Sequence, residues 1–210
     1  VGVFLLVGEQ ATLLLEICFT RLLSFVSWYH FTYLVLSLAL LGTGAAGSRL
    51  AVAATRPDLA DPDDVSGAAW GFVLSSVGAL WVLALGRLAP DLAMPTTASA
   101  LLRLLALELV IAAPFYWAGL CLGRMIATAS HDRAGRYAAD LIGAGLGTLV
   151  APWVINTIGA DAAIVVAVAV SGVAAVILRP HWRRERWQAL ASGLAVVITV
   201  VAVARGLVPW

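Results

Sequence analysis

The chain has 210 residues, of which 62% are hydrophobic and only 12% carry a charge, and its formal net charge is +1. Soluble domains carry about 25% charged residues, so this composition excludes a water-soluble globule and indicates a polytopic membrane protein. The near-neutral charge gives no reason to expect a nucleic-acid partner. The two cysteines, Cys18 and Cys121, lie in apolar runs, so neither a disulfide nor a metal site is predicted.

Seven apolar stretches approach the length of about 20 residues that a membrane span needs. They cover residues 3–26, 31–54, 68–89, 100–122, 138–158, 161–178 and 189–207. The sequence therefore predicts one all-α transmembrane domain over residues 1–210, a bundle of about seven helices with the lipid bilayer as its first partner. The N-terminus has no basic region followed by a small-residue cleavage site, so no signal peptide is predicted.

The first span carries charges at membrane depth, which insertion scales penalise by about 2.5–3.5 kcal/mol each. Its polar side chains recur at spacings of three and four: Glu9, Thr12, Glu16 and Thr20. They share one helix face, which we expect to face into the bundle. Arg21 lies about 140° around the helix from Glu16. It is thus a poor partner for Glu16, and we expect it to find a carboxylate on another helix or to reach an interface.

Two spans carry rows of small residues. The second span has Ala39, Thr43, Gly47 and Ala51 at four-residue spacing, with Gly42 and Gly44 close by. The fifth has Ala139, Gly143, Gly147 and Ala151. Small residues in such rows let a neighbouring backbone approach closely. The rows therefore predict close helix packing that involves both spans. A tight turn is predicted between the fifth and sixth spans, at residues 159–161.

The loops after the even-numbered spans hold most of the arginines, seven of the 13 cationic residues. Because positively charged loops face the cytoplasm, these loops and the N-terminus are predicted to be cytoplasmic. With seven spans, the C-terminus lies outside. The composition, rich in Ala, Val, Leu and Arg, is typical of a GC-rich bacterial genome, so the expected location is a bacterial inner membrane.

Two blocks of the sequence resemble a known family. Glu16, then Arg21–Leu23, a short break and the Gly-rich run Gly42–Ser48 resemble the opening of bacterial membrane-bound spermidine synthase-like proteins, the fused MFS/spermidine synthase group. The second block, Gly135–Gly147, is similar to a Gly-Arg-x-Tyr-Ala-Ala motif of that group, with one residue fewer before the tyrosine. The resemblance implies a bundle like half of a major facilitator transporter.

In that family a soluble aminopropyltransferase-like domain usually accompanies the membrane part. Its Rossmann-type phosphate loop follows a strand, whereas Gly143, Gly145 and Gly147 of this chain lie inside an apolar helix. The resemblance therefore implies a non-catalytic membrane domain without a cofactor. It would act as an anchor or as a subunit of a larger membrane assembly, with other membrane chains or a soluble transferase domain as partners.

Two interpretations of the charged residues remain open. In the first, Glu9, Glu16 and Glu108 line a cavity for a cationic, polyamine-like ligand, and aromatic side chains offer cation–π faces. The aromatic candidates are Trp28, Tyr116 and Trp117.

In the second interpretation, the same charges form structural ion pairs. Glu16 would pair with Arg21 or Arg103, and Asp140 would pair with Arg136 one turn earlier. The alternative function is a half-transporter that moves a cationic solute as a dimer. The three histidines lie far apart in the sequence, so no metal site is predicted.

Overall fold

The computed structural model describes residues 2–26, 31–56, 65–84, 98–127, 133–177 and 193–201. These residues form seven helices and no strand: α1 Gly2–Val26, α2 Phe31–Thr55, α3 Val65–Ala84, α4 Ala98–Ala127, α5 Arg133–Ile158, α6 Ala160–Ile177 and α7 at 193–201. Within the described residues, four helices are long and apolar enough to cross a membrane: α2, α3, α4 and α5. The prediction of an all-α helical membrane protein is confirmed, while the number of spans stays a prediction.

The helix ends differ from the predicted spans mainly around the loop between α4 and α5. Helix α4 continues to Ala127 and α5 begins at Arg133, each five residues further into the polar segment than predicted. The predicted ends followed apolar content, but a helix continues wherever its backbone hydrogen bonds do. Arg124 in the last turn of α4 suits the negative end of the helix dipole. Part of the predicted seventh span lies outside the described residues.

The tight turn predicted at residues 159–161 is present but shorter, because α6 begins at Ala160 and Gly159 alone connects the two helices. Gly159 has φ of 85°, a left-handed conformation that residues with a Cβ rarely adopt. Its N–H donates to the Ile155 carbonyl at 3.0 Å, which satisfies one of the free carbonyls at the end of α5. This residue therefore ends α5 and reverses the chain into α6.

Glycine contacts show that α2 and α4 run parallel. A Cβ built at Gly42 would lie 2.6 Å from the Ala112 carbonyl oxygen, and one built at Gly123 would lie 2.5 Å from Leu50. Residue numbers rise together along both helices. Helices α1 and α5 are parallel in the same way, because Gly143 meets Leu6 and Gly147 meets Gln10 further along.

By contrast, α1 and α4 are antiparallel. Gly8 lies next to Leu122, and Phe19 meets Phe115 with ring centroids 6.4 Å apart and an interplanar angle of 80°. Both phenylalanines are fully buried. Because lipid tails are as apolar as leucine, such contacts stabilise the bundle through close packing and not through removal from water. The contacts show the alternation of direction that successive membrane spans require.

The helix contacts follow an approximate two-fold pattern. Helix α1 packs most extensively on α5, as α4 does on α2, and the next largest contacts are α1 with α6 and α4 with α3. In addition, α1 contacts α4 and α3 contacts α6. The contacts between the triplet α1–α3 and the triplet α4–α6 are therefore reciprocal, although the contacts within the two triplets differ. Since α1 and α4 are antiparallel, the two triplets have opposite orientations along the helix direction.

Helix α7 lies against α3 and α6. The indole Nε1–H of Trp81 donates a 2.9 Å hydrogen bond to Thr199 Oγ1, and that hydroxyl donates to the Ala195 carbonyl. Thr199 and Val196 line a narrow apolar gap shared with α3 and α6. Hydrogen bonds between membrane helices contribute about 0.6 kcal/mol on average, so this contact helps to fix α7 on the outside of the six-helix arrangement.

Exposed aromatic and basic residues indicate how the bundle sits in a bilayer. Tyr137 and Trp153 on α5 are 56% and 69% exposed and lie about 24 Å apart along the helix. Arg103 and Arg124 on α4 lie about 32 Å apart. These separations are close to the hydrocarbon thickness of about 30 Å.

The described arginines are unevenly distributed between the two ends of the bundle. One end is formed by the C-termini of α2 and α4 and the N-terminus of α5, and it holds Arg49, Arg56, Arg124, Arg133 and Arg136. The opposite end holds Arg21 and Arg103.

Candidate functional site

Close contact between α1 and α5 brings acidic side chains from the two helices together. A Cβ built at Gly143 would lie 2.6 Å from the Leu6 carbonyl oxygen, so only glycine allows this approach. Asp140 lies one turn before Gly143, and Glu9 lies one turn after Leu6. Glu9 is close enough to Asp140 and Glu16 to be repelled electrostatically by their negative charges. We call these three residues the carboxylate cluster.

The carboxylate cluster is half-buried, with all three residues of intermediate exposure. Asp140 Oδ1 is completely buried and accepts no hydrogen bond in the part of the chain that the structure describes. A buried carboxylate oxygen without a hydrogen-bond partner is costly. Like charges held near one another raise that cost further, so the arrangement favours a positively charged partner.

The ion pairs predicted for Glu16 are not formed among the described residues. Arg21 and Arg103 are both exposed, and no salt bridge within 4.0 Å joins either of them to Glu16 there. The reason for Arg21 lies in its position on the helix, about 140° around from Glu16, so its side chain extends outward instead. Arg21 is exposed five residues before the end of α1, and the expectation that it reaches an interface stays a prediction.

The predicted pairing of Arg136 with Asp140 also needs correction. Arg136 Nη1 donates to the Met125 carbonyl oxygen in the last turn of α4. The last carbonyls of a helix have no partner within the helix, and a nearby basic side chain satisfies them well. Arg136 therefore connects the start of α5 to the end of α4. The charged group that Asp140 lies near is Glu9 of α1.

The predicted aromatic residues lie elsewhere. A Cβ at Gly71 of α3 would overlap the indole of Trp117, so this ring packs between α4 and α3. Tyr116 accepts a hydrogen bond from Arg49 of α2 at 2.8 Å, and its ring contacts that of Trp117 at 5.4 Å. Both rings pack beside the small buried group of Ala46, Ala68 and Leu120.

The six residues predicted to bind a ligand are therefore not gathered in one place. Glu9 and Glu16 are close to each other, Tyr116 and Trp117 pack towards α2 and α3, and Glu108 lies half-buried in the first half of α4. Trp28 lies outside the described residues. The sequence interpretation paired Asp140 with Arg136, whereas the structure brings it near Glu9 of α1. Its position one turn before the glycines of α5 that pack on α1 is the sequence signal that could have identified this placement.

The predicted packing glycines divide into two groups. Gly42, Gly143 and Gly147 contact neighbouring backbones, but Gly44 and Gly47 have no described atom within 4 Å of a built Cβ. The packing role predicted for these last two within the chain is therefore wrong. Gly44 points away from α4 because two residues along a helix correspond to a rotation of about 200°.

A cavity of about 170 Å³ lies between α1, α5 and α6. Gln10 is the one polar side chain in its lining, which otherwise consists of small and branched apolar residues: Val7, Ala11, Leu14, Gly147, Val150, Ala151, Val154, Val166, Ala167 and Val170. None of the residues predicted to bind a ligand lines this cavity. The cavity is open to the surface of the bundle and no carboxylate lines it, so it does not extend the carboxylate cluster.

The chemistry available to the carboxylate cluster is the binding of a cation. Among the described residues, no group of three or more His, Cys, Asp or Glu side chains is placed to hold a metal ion. No family model, curated protein or solved structure matches this chain.

Proposed function

We propose that this chain is a non-catalytic membrane domain, similar to the membrane part of spermidine synthase-like proteins, and that it anchors or joins a larger membrane assembly. The observation that carries the proposal is the open glycine face of α2. Gly44 and Gly47 are exposed, and a Cβ at either position would meet nothing within 4 Å.

The outward face of α2 is suited to another helix. Ser37, Gly44, Ser48 and Ala51 follow one another along the side opposite Gly42, which packs on α4. Rows of small residues let membrane helices approach closely, and lipid tails gain nothing from them. This face therefore supports contact with a second membrane chain. It is separate from the face that holds the bundle together.

The test is native mass spectrometry of the protein extracted in a mild detergent, which reports bound chains directly. Gly44→Leu fills the outward face and should lower the bound partner at least tenfold. Ala45→Leu is the matched control, because it adds the same side chain to an exposed position about 100° away, and it should retain the partner. Equal retention by the two variants would count against the proposal.

The carboxylate cluster supports a cationic ligand for this domain. Three acidic side chains from α1 and α5, one of them with a buried oxygen lacking a hydrogen bond among the described residues, suit a cationic, polyamine-like ligand. Spermidine is the probe, measured by its binding to the purified protein in detergent. Asp140→Asn and Glu9→Gln should each weaken binding about tenfold. Glu108→Gln is the control and should bind like the parent; equal losses in all three variants would refute the role of the cluster.

A second candidate function is a half-transporter that works as a dimer. The approximate two-fold arrangement of α1–α3 and α4–α6 favours it, since transporters built from inverted repeats place their substrate sites where the repeats meet. Liposome flux of a cationic solute tests this candidate. Flux that is unchanged by Glu16→Gln would count against it.

The arginine distribution supports an orientation. Five of the described arginines lie at the end that contains the N-terminus of α5, against two at the opposite end. Because α1 and α5 are parallel, the N-terminus of α1 lies at the same arginine-rich end. By the positive-inside rule that end faces the cytoplasm, and the host membrane would be a bacterial inner membrane.

A further inference from the structure

One arginine is fixed by another helix on the lipid-facing surface. Arg49 of α2 is exposed, and its Nη1 donates a 2.8 Å hydrogen bond to the phenolic oxygen of Tyr116 on α4. A comparable hydrogen bond between side chains of different helices joins Trp81 to Thr199. A bond to a rigid ring holds the guanidinium in one place.

The position of Arg49 along α2 suits contact with lipid headgroups. Arg49 follows Tyr33 by 16 residues on α2, which is about 24 Å along the helix. Tyr33 is 71% exposed near the opposite end of the same helix, a position typical of an interfacial aromatic residue. A bilayer core is about 30 Å thick, so a Tyr33 at one edge would put Arg49 near the other edge, from which its long side chain would extend to phosphate.

The guanidinium keeps most of its binding capacity. Arginine has five N–H donors in a planar fork that matches two phosphate oxygens, and Tyr116 accepts only one of them. Leu50, the next residue, contacts α4 at Gly123. The C-terminal ends of α2 and α4 are thus in contact, and Arg124 follows Gly123 at the same level. Arg124 is therefore a second cationic residue near Arg49 among the described residues.

We infer that Arg49, positioned by Tyr116, forms a binding site for a phosphate-bearing anion between the ends of α2 and α4, and that an anionic lipid headgroup is its occupant. The inference is independent of the carboxylate cluster and of any partner chain. A fixed site differs from the general attraction of a basic end for an acidic membrane, which acts on every arginine near the surface.

The experiment compares retained lipid in four variants. The protein is reconstituted in bilayers of phosphatidylcholine with one-fifth phosphatidylglycerol and extracted mildly, and native mass spectrometry counts phosphatidylglycerol per chain. Arg49→Gln is compared with Arg56→Gln, which removes the same charge from an exposed position at the end of α2. Tyr116→Phe is compared with Tyr33→Phe, since neither of these changes any charge.

We expect Arg49→Gln to retain at least fivefold less phosphatidylglycerol than Arg56→Gln. Tyr116→Phe should retain about two- to threefold less than Tyr33→Phe. Equal retention by the two arginine variants would leave only general charge attraction and would overturn the site. Equal retention by the two tyrosine variants would overturn the positioning by Tyr116.

Two additions keep the result interpretable. Arg49→Lys keeps the charge but not the fork, so it should retain intermediate amounts of lipid if the site is built for bidentate binding, and retention equal to the parent would refute that geometry. Inorganic phosphate added to the delipidated protein separates the two sources of phosphate. Thermal stabilisation by phosphatidylglycerol and not by millimolar phosphate supports the lipid occupant, and the reverse overturns it.

Discussion

Replacement of Gly143 by alanine tests whether contact between backbones determines the position of the carboxylate cluster. The added Cβ would lie 2.6 Å from the Leu6 carbonyl oxygen and 2.9 Å from its Cα. Ordinary contacts between carbon and carbonyl oxygen are about 3.3–3.6 Å. Both atoms of Leu6 belong to the backbone, so no side chain can rotate away, and α1 and α5 must separate by about 0.7–1 Å.

That separation has a predictable cost. A gap of about 0.5–1 Å loses a quarter to a half of each dispersion contact across the interface, and overpacking of this kind costs about 1–3 kcal/mol. The matched control is Gly145→Ala on the same helix, where a Cβ meets nothing within 4 Å. The control loses no contact and should be neutral or stabilising by up to about 1 kcal/mol.

Unfolding by sodium dodecyl sulfate in mixed micelles, followed by circular dichroism, measures both variants. Helix α2 offers an independent repeat of the comparison. A Cβ added at Gly42 would lie 2.6 Å from the Ala112 carbonyl oxygen, whereas one added at Gly44 would meet no described atom within 4 Å. Alanine should therefore destabilise the bundle at Gly143 and Gly42. It should be tolerated at Gly145 and Gly44. If Gly143→Ala unfolds at the same detergent fraction as Gly145→Ala, the reasoning about α1 and α5 is refuted.

Three further outcomes follow from the packing. Phe115→Ala should destabilise the bundle by about 3–5 kcal/mol in the same unfolding assay, whereas Phe115→Leu should cost clearly less; a loss well below this range for Phe115→Ala would mean that the ring contact with α1 contributes little. A double-mutant cycle of Trp81→Phe and Thr199→Val should give a coupling of about 0.6 kcal/mol, and a coupling of zero would argue against α7 docked on α3. In a cysteine-free background, Arg56→Cys should react with an impermeant maleimide only from the cytoplasmic side and Arg103→Cys only from the opposite side. Labelling of both from one side would contradict the topology.

Composition and charge placement were sufficient to predict several features of this protein. A chain with 62% hydrophobic residues and 12% charged residues has too little polar surface for water, and this decided the helical membrane class. Local signals also predicted the first two helices almost to the residue, the turn at Gly159, and the small-residue row on α5 with Gly143 and Gly147 buried.

The tertiary structure decided which side of each helix faces a neighbour. Membrane helices are apolar all round, so the 3.6-residue period that reveals the buried face of a soluble helix is absent. For this reason the sequence alone did not separate Gly42, which packs on α4, from Gly44, which faces outward. The alternation in direction of α1, α2 and α4 likewise appears only in their contacts.

The same limit applies to the charged residues. Sequence spacing paired Arg136 with Asp140 because they lie one turn apart on α5, but a free carbonyl at the end of α4 accepts the hydrogen bond of Arg136 instead. Glu9 and Asp140 are 131 positions apart, and the parallel contact of α1 with α5 brings their charges together. Side-chain partners over such separations depend on helix orientation and register, which only the folded bundle determines.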